Sequence, residues 1–246
     1  MSGKITLGEA ASRMKESARG TVIFTGAGMS TESGLSDFRS KDGLWKNLDP
    51  MELATADAMR NNYEAFHAFY SRRFELMGDA KPNSGHKVLA DWEARGIADC
   101  IITQNIDGLH AAAGSKKIYE LHGSVGKVRC MDCGAPSAQG DFIAGTPCPR
   151  CGGRLRPGVV LFGEGLPQEE MDLSWAASES ANVFIVLGSS LNVSPANGFP
   201  SIAARAGALV VICNKDATFL DNIAGYRTFD GIGKFLAELD EEIAKA

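Results

Sequence analysis

Four of the six cysteines in this 246-residue chain fall as Cys130-x-x-Cys133 and Cys148-x-x-Cys151, with fourteen residues between the pairs. Each pair can grip one face of a tetrahedral Zn²⁺, and the loop between them brings the pairs together. Gly134, Gly152 and Gly153 follow the second cysteine of each pair, where tight turns favour glycine. Four thiolates fill the coordination shell, so such a zinc is structural and not catalytic. The competing reading is four free thiols or two disulfides, which the cytosolic composition of the chain disfavours. Cys100 and Cys213 stand in apolar runs and read as core residues.

Other groups with chemistry fall where strands should end. Gly26-Ala27-Gly28-Met29-Ser30-Thr31 follows the apolar run Thr21–Thr25. Bare backbone N–H groups there could approach a pyrophosphate. Thr31 occupies the third glycine position of a dinucleotide fingerprint, and no acid is evident at the end of a second strand about 20 residues on, so a plain structural turn stays open. Thr103-Gln104-Asn105-Ile106-Asp107 closes a second run, and its alternative reading is a capped helix start. His122-Gly123 follows Tyr119–Leu121. An imidazole at a strand end is a candidate general base, because it titrates near neutrality. His67, His86 and His110 lie instead in helical stretches. Gly188-Ser189-Ser190 and Asn214-Lys215-Asp216 end two more apolar runs. Polar residues at several strand ends favour one crevice site over unrelated turns.

The elements that must position these groups alternate between helix and strand. Helices are expected at about 7–19, 60–77, 86–95, 202–206 and 232–244. Tyr63, Phe66, Tyr70, Phe74 and Met77 recur at steps of three and four on the second of these. Strands are expected at 21–25, 99–103, 119–121, 183–187 and 209–213. The continuous apolar runs at 183–187 and 209–213 suit parallel strands buried on both faces. Between Cys130 and Pro157 the chain turns rich in Gly, Pro and Cys, and it needs a staple. The expected architecture is α/β: a Rossmann-like doubly wound parallel sheet, with a smaller zinc-ribbon plus helical domain formed by two insertions. The Rossmann-like part takes residues 1–40, 81–127 and 157–246; the insertions are 41–80 (helical) and 128–156 (zinc-binding).

Lys plus Arg total 25 and Asp plus Glu 30, a formal net charge of −5. Such a balance argues against non-specific binding of a phosphate backbone. Apolar runs fall short of the roughly 20 residues a bilayer requires, and the N-terminus lacks an apolar signal core. A cytoplasmic protein without membrane or direct nucleic-acid contacts is expected.

The set of motifs resembles the sirtuins, of bacterial or archaeal type, which are NAD-dependent protein lysine deacylases. The matching pieces run in order through nearly the whole chain: GAGMSTESGLSDFR (26–39), TQNIDGLH (103–110), ELHGS (120–124), the CxxC pairs, RPGVVLFGE (156–164), GSSLNVSPA (188–196) and the Asn214 region. Ser36 stands where the family usually has proline, and Met29 where Ile or Val is common; neither removes a functional group.

The resemblance implies NAD in the crevice, its pyrophosphate against Ala27 and Gly28 and its adenosine end near Gly188, Ser189, Asn214 and Asp230. It assigns Asn105 and Asp107 to the nicotinamide and its ribose, and Phe38 and Arg39 to a loop over the cofactor. Gly26, Thr31, Asp37, Gln104, Ile106, Ser190 and Lys215 complete the cofactor-binding set. The acyl-lysine oxygen attacks the ribose C1′, nicotinamide leaves, and His122 acts as base through the ribose hydroxyls. Water then yields free lysine and O-acyl-ADP-ribose. The substrate peptide is expected as a strand between Gly163-Glu164 and Asn192-Val193, with Val160 and Phe162 beside it. Tyr70 and Arg73 match a Tyr-x-x-Arg pair that reads succinyl or malonyl carboxylates in some members, and Ala54-Thr55 matches its companion. Tyr70 also belongs to the apolar stripe, and Arg73 could be a solvated surface residue.

Three alternatives make different demands. A hydride-transferring Rossmann enzyme needs an intact GxGxxG and a downstream acid, both absent here. A non-enzymatic zinc-ribbon binding module needs stacking aromatics near its cysteines, and only Phe142 is present. The third is ADP-ribosyl transfer to protein, a side activity associated with the family. A monomer is expected.

Overall fold

The computed structural model describes residues 5–16, 20–37 and 49–246. Helix α1 (Leu7–Lys15) opens with a reciprocal cap, in which the Thr6 side chain accepts from the Glu9 amide and Glu9 reaches back to the Thr6 amide. It closes at Glu16, short of the expected 19, and residues 17–19 lie outside the described residues. Strand β1 (Thr21–Thr25) leads into a 3₁₀ turn, Ala27–Ser33. Next come α2 (Pro50–Leu53), α3 (Ala56–Asn61) and α4 (Tyr63–Gly78). The single helix expected over 60–77 is therefore two, because Asn62 leaves helical geometry at φ −137°, ψ 56°. Helix α5 (Ser84–Ala94) starts two residues early, capped by Asn83. It precedes β2 (Ala98–Thr103), α6 (Leu109–Ala113) and β3 (Ile118–Glu120). A second, antiparallel sheet holds β4 (Gly123–Cys130), β5 (Pro136–Ser137) and, after α7 (Gln139–Ile143), β6 (Leu155–Val159). The chain then returns through α8 (Gln168–Ser180), β7 (Val183–Leu187), α9 (Phe199–Arg205), β8 (Leu209–Cys213), β9 (Tyr226–Thr228) and α10 (Ile232–Lys245).

Among the described residues the large sheet has six strands, all parallel, in the order β3-β2-β1-β7-β8-β9. Its side chains alternate between two cores. Ile23, Ile101, Ile185 and Val211 pack with Trp92, Phe235 and Leu239 on the side of α1, α5 and α10. Phe24, Ile102, Phe184 and Ile212 pack with Phe199 and Ala203 on the other side. Burial on both faces is why these strands read as unbroken apolar runs. The order reverses direction at β1, so the crevice outside the carboxyl ends of β1 and β7 is the place such sheets offer a ligand.

The small sheet and α4 share a third core: Phe66, Tyr70 and Phe74 of the helix meet Val128, Phe142 and Leu155. Tyr63 and Met77, at the ends of the stripe, are only partly buried. Tyr63 Oη donates to the Leu155 carbonyl at 2.7 Å, and His67 bonds the Phe142 carbonyl at 2.5 Å. The segment Ala54–Ala56 is tied to Phe162 through Phe162 N–Ala54 O (3.0 Å) and Ala56 N–Phe162 O (3.1 Å). No helix among the described residues is long and apolar enough to cross a membrane.

Candidate active site

All six strand ends open onto one cavity of about 970 Å³. At its centre two glycine turns press backbone on backbone: Gly26 N donates to Leu187 O at 3.0 Å and Gly28 N to Gly188 O at 2.9 Å. Gly188 has φ +61°, and a Cβ there would sit 2.5 Å from Gly28 C and Met29 N. The glycines of the first turn thus serve the contact with β7 as well as the open cavity they line.

Next to this turn Asn105 is buried, its amide donating to the Gly26 carbonyl at 3.0 Å and to Ser30 Oγ at 3.2 Å. Ser30 Oγ in turn donates to Asp107 Oδ2 at 2.7 Å, and Asp107 Oδ1 accepts from the Leu109 amide. Asn105 lines the cavity, whereas Asp107 lies behind it in this network. Gln104 reaches across β1 to Ser189 Oγ at 2.9 Å. Thr25 and Thr103 join hydroxyls at 2.8 Å beneath, and Thr103 Oγ1 accepts the Asn105 amide.

His122 lines the same cavity, with Nδ1 2.9 Å from the Gln104 carbonyl. A carbonyl only accepts, so the proton belongs on Nδ1 and Nε2 carries the free lone pair. Burial lowers the pKa of this imidazole, opposed by the Gln104 carbonyl, so the neutral, basic form is favoured. The remaining histidines are placed otherwise. His67 bonds within the small module. The rings of His86 and His110 meet at 4.8 Å, tilted 56° to one another, beneath the site, and burial pushes His110 down to about 3.

The remaining positions singled out in the sequence fall around the rim. Thr31, Asp37, Ile106, Ser190, Asn214, Lys215 and Asp230 line the cavity, as do Tyr70, Arg73, Val160, Phe162, Gly163, Glu164 and Val193. Phe38 and Arg39 lie outside the described residues. Asp230 is held below the ordinary carboxylate range by the Thr228 hydroxyl (2.6 Å) and Lys234 (3.1 Å). Tyr70 is buried, which pushes its phenol up to about 12. Burial also works against the Arg73 charge, which Tyr70 and Asp107 support. Glu164 accepts two hydrogen bonds from the buried Arg156, at 2.6 and 2.9 Å, and one from the Leu161 amide. Burial would raise its pKa, but these partners hold it low. Sequence reasoning gave Ser30, Thr25 and His110 no part in the site and did not pair Arg156 with Glu164, although all of these but Thr25 lie inside motifs it used.

About the cysteines, Sγ of Cys130 lies 3.5 Å from that of Cys151, and Cys133 3.7 Å from Cys148, with all four within 4.8 Å of one another. Tetrahedral Zn–S bonds of about 2.3 Å require sulfur separations of about 3.8 Å, while a disulfide requires about 2 Å. The four cysteines are therefore positioned to hold a zinc ion.

Comparison with known proteins agrees with this geometry. The family model described as Sir2 family matches residues 26–195. NAD-dependent protein deacetylase 1 of Geobacillus kaustophilus is 49% identical over 230 residues, covering 93% of this chain and 95% of that protein. NAD-dependent protein deacylase of Aquifex aeolicus is 44% identical over 208 residues, covering 82% and 86%. Among solved structures, a Sir2–p53 peptide–NAD⁺ complex superposes with a TM-score of 0.89 at 36% identity, covering 98% of this chain and 100% of that one. A Sir2 bound to a propionylated peptide gives a TM-score of 0.88 at 36% identity, with the same coverage. The chain belongs to the Sir2 family, the sirtuins.

Proposed function

We propose that this protein removes acyl groups from protein lysines with consumption of NAD, and that His122 is its general base. The observation that carries this reading is the His122 imidazole, with its Nδ1 proton committed to Gln104 and its neutral form favoured by burial, on the wall it shares with the glycine turns. NAD is a substrate here. The acyl oxygen attacks the ribose C1′ as nicotinamide departs, and Nε2 of His122 takes a proton from a ribose hydroxyl. Water then completes transfer of the acyl group, leaving free lysine and O-acyl-ADP-ribose. Asn105 and Asp107, linked through Ser30, position the nicotinamide end; Ala27 and Gly28 face the pyrophosphate. The other cofactor positions are those named on the cavity wall.

Val160, Phe162, Gly163, Glu164 and Val193 form the peptide track. In that track Glu164 serves by bracing the loop through Arg156. Cys130, Cys133, Cys148 and Cys151 hold one structural zinc per chain. Residues 41–80 and 128–156 act as the insertions that build the smaller domain on a Rossmann-like domain of 1–40, 81–127 and 157–246. The protein works as a cytoplasmic monomer on acyl-lysine proteins or peptides, without nucleic-acid contacts.

A wider acyl range follows from one observation: Tyr70 and Arg73 line the same cavity. A guanidinium suits a planar carboxylate, so succinyl- and malonyl-lysine join acetyl-lysine as substrates. The test is a panel of acetyl, propionyl and succinyl peptides with NAD. Nicotinamide should appear in proportion to free lysine, with no NADH absorbance. Deacylation without nicotinamide release would refute the reading.

A further inference from the structure

The 3₁₀ turn Ala27–Ser33 carries two parts of the site: Ala27 and Gly28 on the cavity wall, and Ser30, which links Asn105 to Asp107. Its inner side leans on the end of β7 through Gly28 and Gly188. Its outer side is held by the first turns of two helices. Asn83 caps α5 by accepting the His86 amide at 3.1 Å, and its Nδ2 donates to the Met29 carbonyl at 2.8 Å. Helix α10 has no side-chain cap of its own and no acid in its first turn. Glu32 supplies one from 201 positions away, its Oε1 accepting the Gly233 amide at 3.1 Å. The approach is close, since a Cβ on Gly233 would fall 2.5 Å from Glu32 Oε2 and 2.8 Å from Ser84 Oγ.

Glu32 also lines the cavity. A carboxylate beside a bound pyrophosphate repels it unless its charge is engaged elsewhere. Here the charge faces the N-terminus of a 14-residue helix, where the amide it accepts and the helix dipole offset it. The place of this acid in the cavity wall is thus accounted for by what it holds, which is the turn. We infer that Glu32 is a positioning residue for NAD: by capping α10 it pins the turn whose Ala27 and Gly28 face the pyrophosphate and whose Ser30 sets Asn105 and Asp107 at the nicotinamide end. The inference rests on the NAD-consuming reading above.

The test measures calorimetric binding of ADP-ribose, and the KM for NAD and for an acetyl-lysine peptide, in wild type, Glu32→Ala, Glu32→Gln, Gly233→Ala and the double variant Glu32→Ala/Gly233→Ala. Glu32→Ala should weaken ADP-ribose and raise the KM for NAD about fivefold, the scale of a lost helix cap, while the KM for the peptide stays the same. Glu32→Gln removes the charge but keeps an oxygen for the Gly233 amide, so it should bind ADP-ribose at least as tightly as wild type. Gly233→Ala, which favours the helix itself, should displace the carboxylate and reproduce the loss seen in Glu32→Ala. The double variant should lose no more than either single one, because both break the same contact. Wild-type affinity in both single alanine variants, even with a lowered melting temperature, would overturn the inference by leaving Glu32 a structural cap alone; the deacylase reading would stand. Loss in the glutamine variant equal to that in alanine would overturn it too, as would tighter binding in both, since either result assigns the effect to charge and not to the cap. Additive losses in the double variant would contradict it as well. A wild-type protein that does not bind ADP-ribose would bring down both readings.

Discussion

The strand-end cavity and the cysteine module solve the same problem, holding irregular backbone in place, by different means. In the large sheet the turns are anchored by strands buried on both faces and by direct contact of Gly28 with Gly188. The small sheet has a two-residue strand, β5, and its loops converge on four sulfurs and the apolar face of α4. His122, the proposed base, and the glycine turns thus sit at the strand ends of the self-supporting part. The residues proposed to read the acyl group and the peptide, Tyr70, Arg73 and Val160–Glu164, sit on or beside the module that gathers the four cysteines. The contrast teaches that cofactor binding and substrate reading should fail separately.

Removal of zinc should give the largest effect. Cys148→Ala, or chelation, should melt the small module, because its polar, glycine-rich loops have little core to fall back on. Deacylation should be abolished while calorimetry still detects ADP-ribose on the large sheet. Elemental analysis of fresh protein should find one zinc per chain; finding none would erase the contrast. His122→Ala should lower deacylation by at least about a hundredfold, the scale of a positioned base, with ADP-ribose affinity nearly kept.

Gly188→Ala probes the large sheet's own device. Its Cβ would meet the Gly28–Met29 backbone at 2.5 Å from a left-handed conformation, so a loss of about 2 kcal/mol or more is expected in chemical denaturation. An unchanged midpoint would mean that the two turns do not brace each other. The smallest effect sharpens the other side. Arg73→Met should cut desuccinylation about tenfold, the scale of a charged hydrogen bond, with deacetylation changed much less. Equal loss of both would make Arg73 a structural residue.

The parallel strands were legible because burial on both faces writes itself as runs such as Val183–Leu187 and Leu209–Cys213. The cysteine spacing was legible because coordination geometry fixes it. Helix α8 was not, because its apolar residues are scattered: Leu173 and Trp175 are exposed while Ser174 and Ser178 are buried. Strands β4 and β6 escaped notice as well, since Gly126, Gly158 and Pro157 interrupt any alternation and a register shift falls inside their pairing. Within the site, His122 and Asn105 could be named from their motifs. The Ser30 bridge between Asn105 and Asp107 joins residues about 75 positions apart, which spacing alone does not reveal. Glu164 is the instructive case. Its motif placed it beside the peptide, whereas its carboxylate is bonded to Arg156 and the Leu161 amide.

The central claim is that His122 is a neutral base on the cavity wall, and the pH dependence of kcat/KM tests it most directly. Burial lowers the His122 pKa from its ordinary 6.5. The imidazole therefore stays neutral down to a pH below that value, and protonation switches the rate off only beneath it. The wild-type profile should be flat through pH 7 and fall on an acid limb with its midpoint below 6.5. That limb should be missing from the residual activity of His122→Ala. An acid limb centred at or above the ordinary histidine value, or one that persists unchanged in the alanine variant, would contradict the assignment.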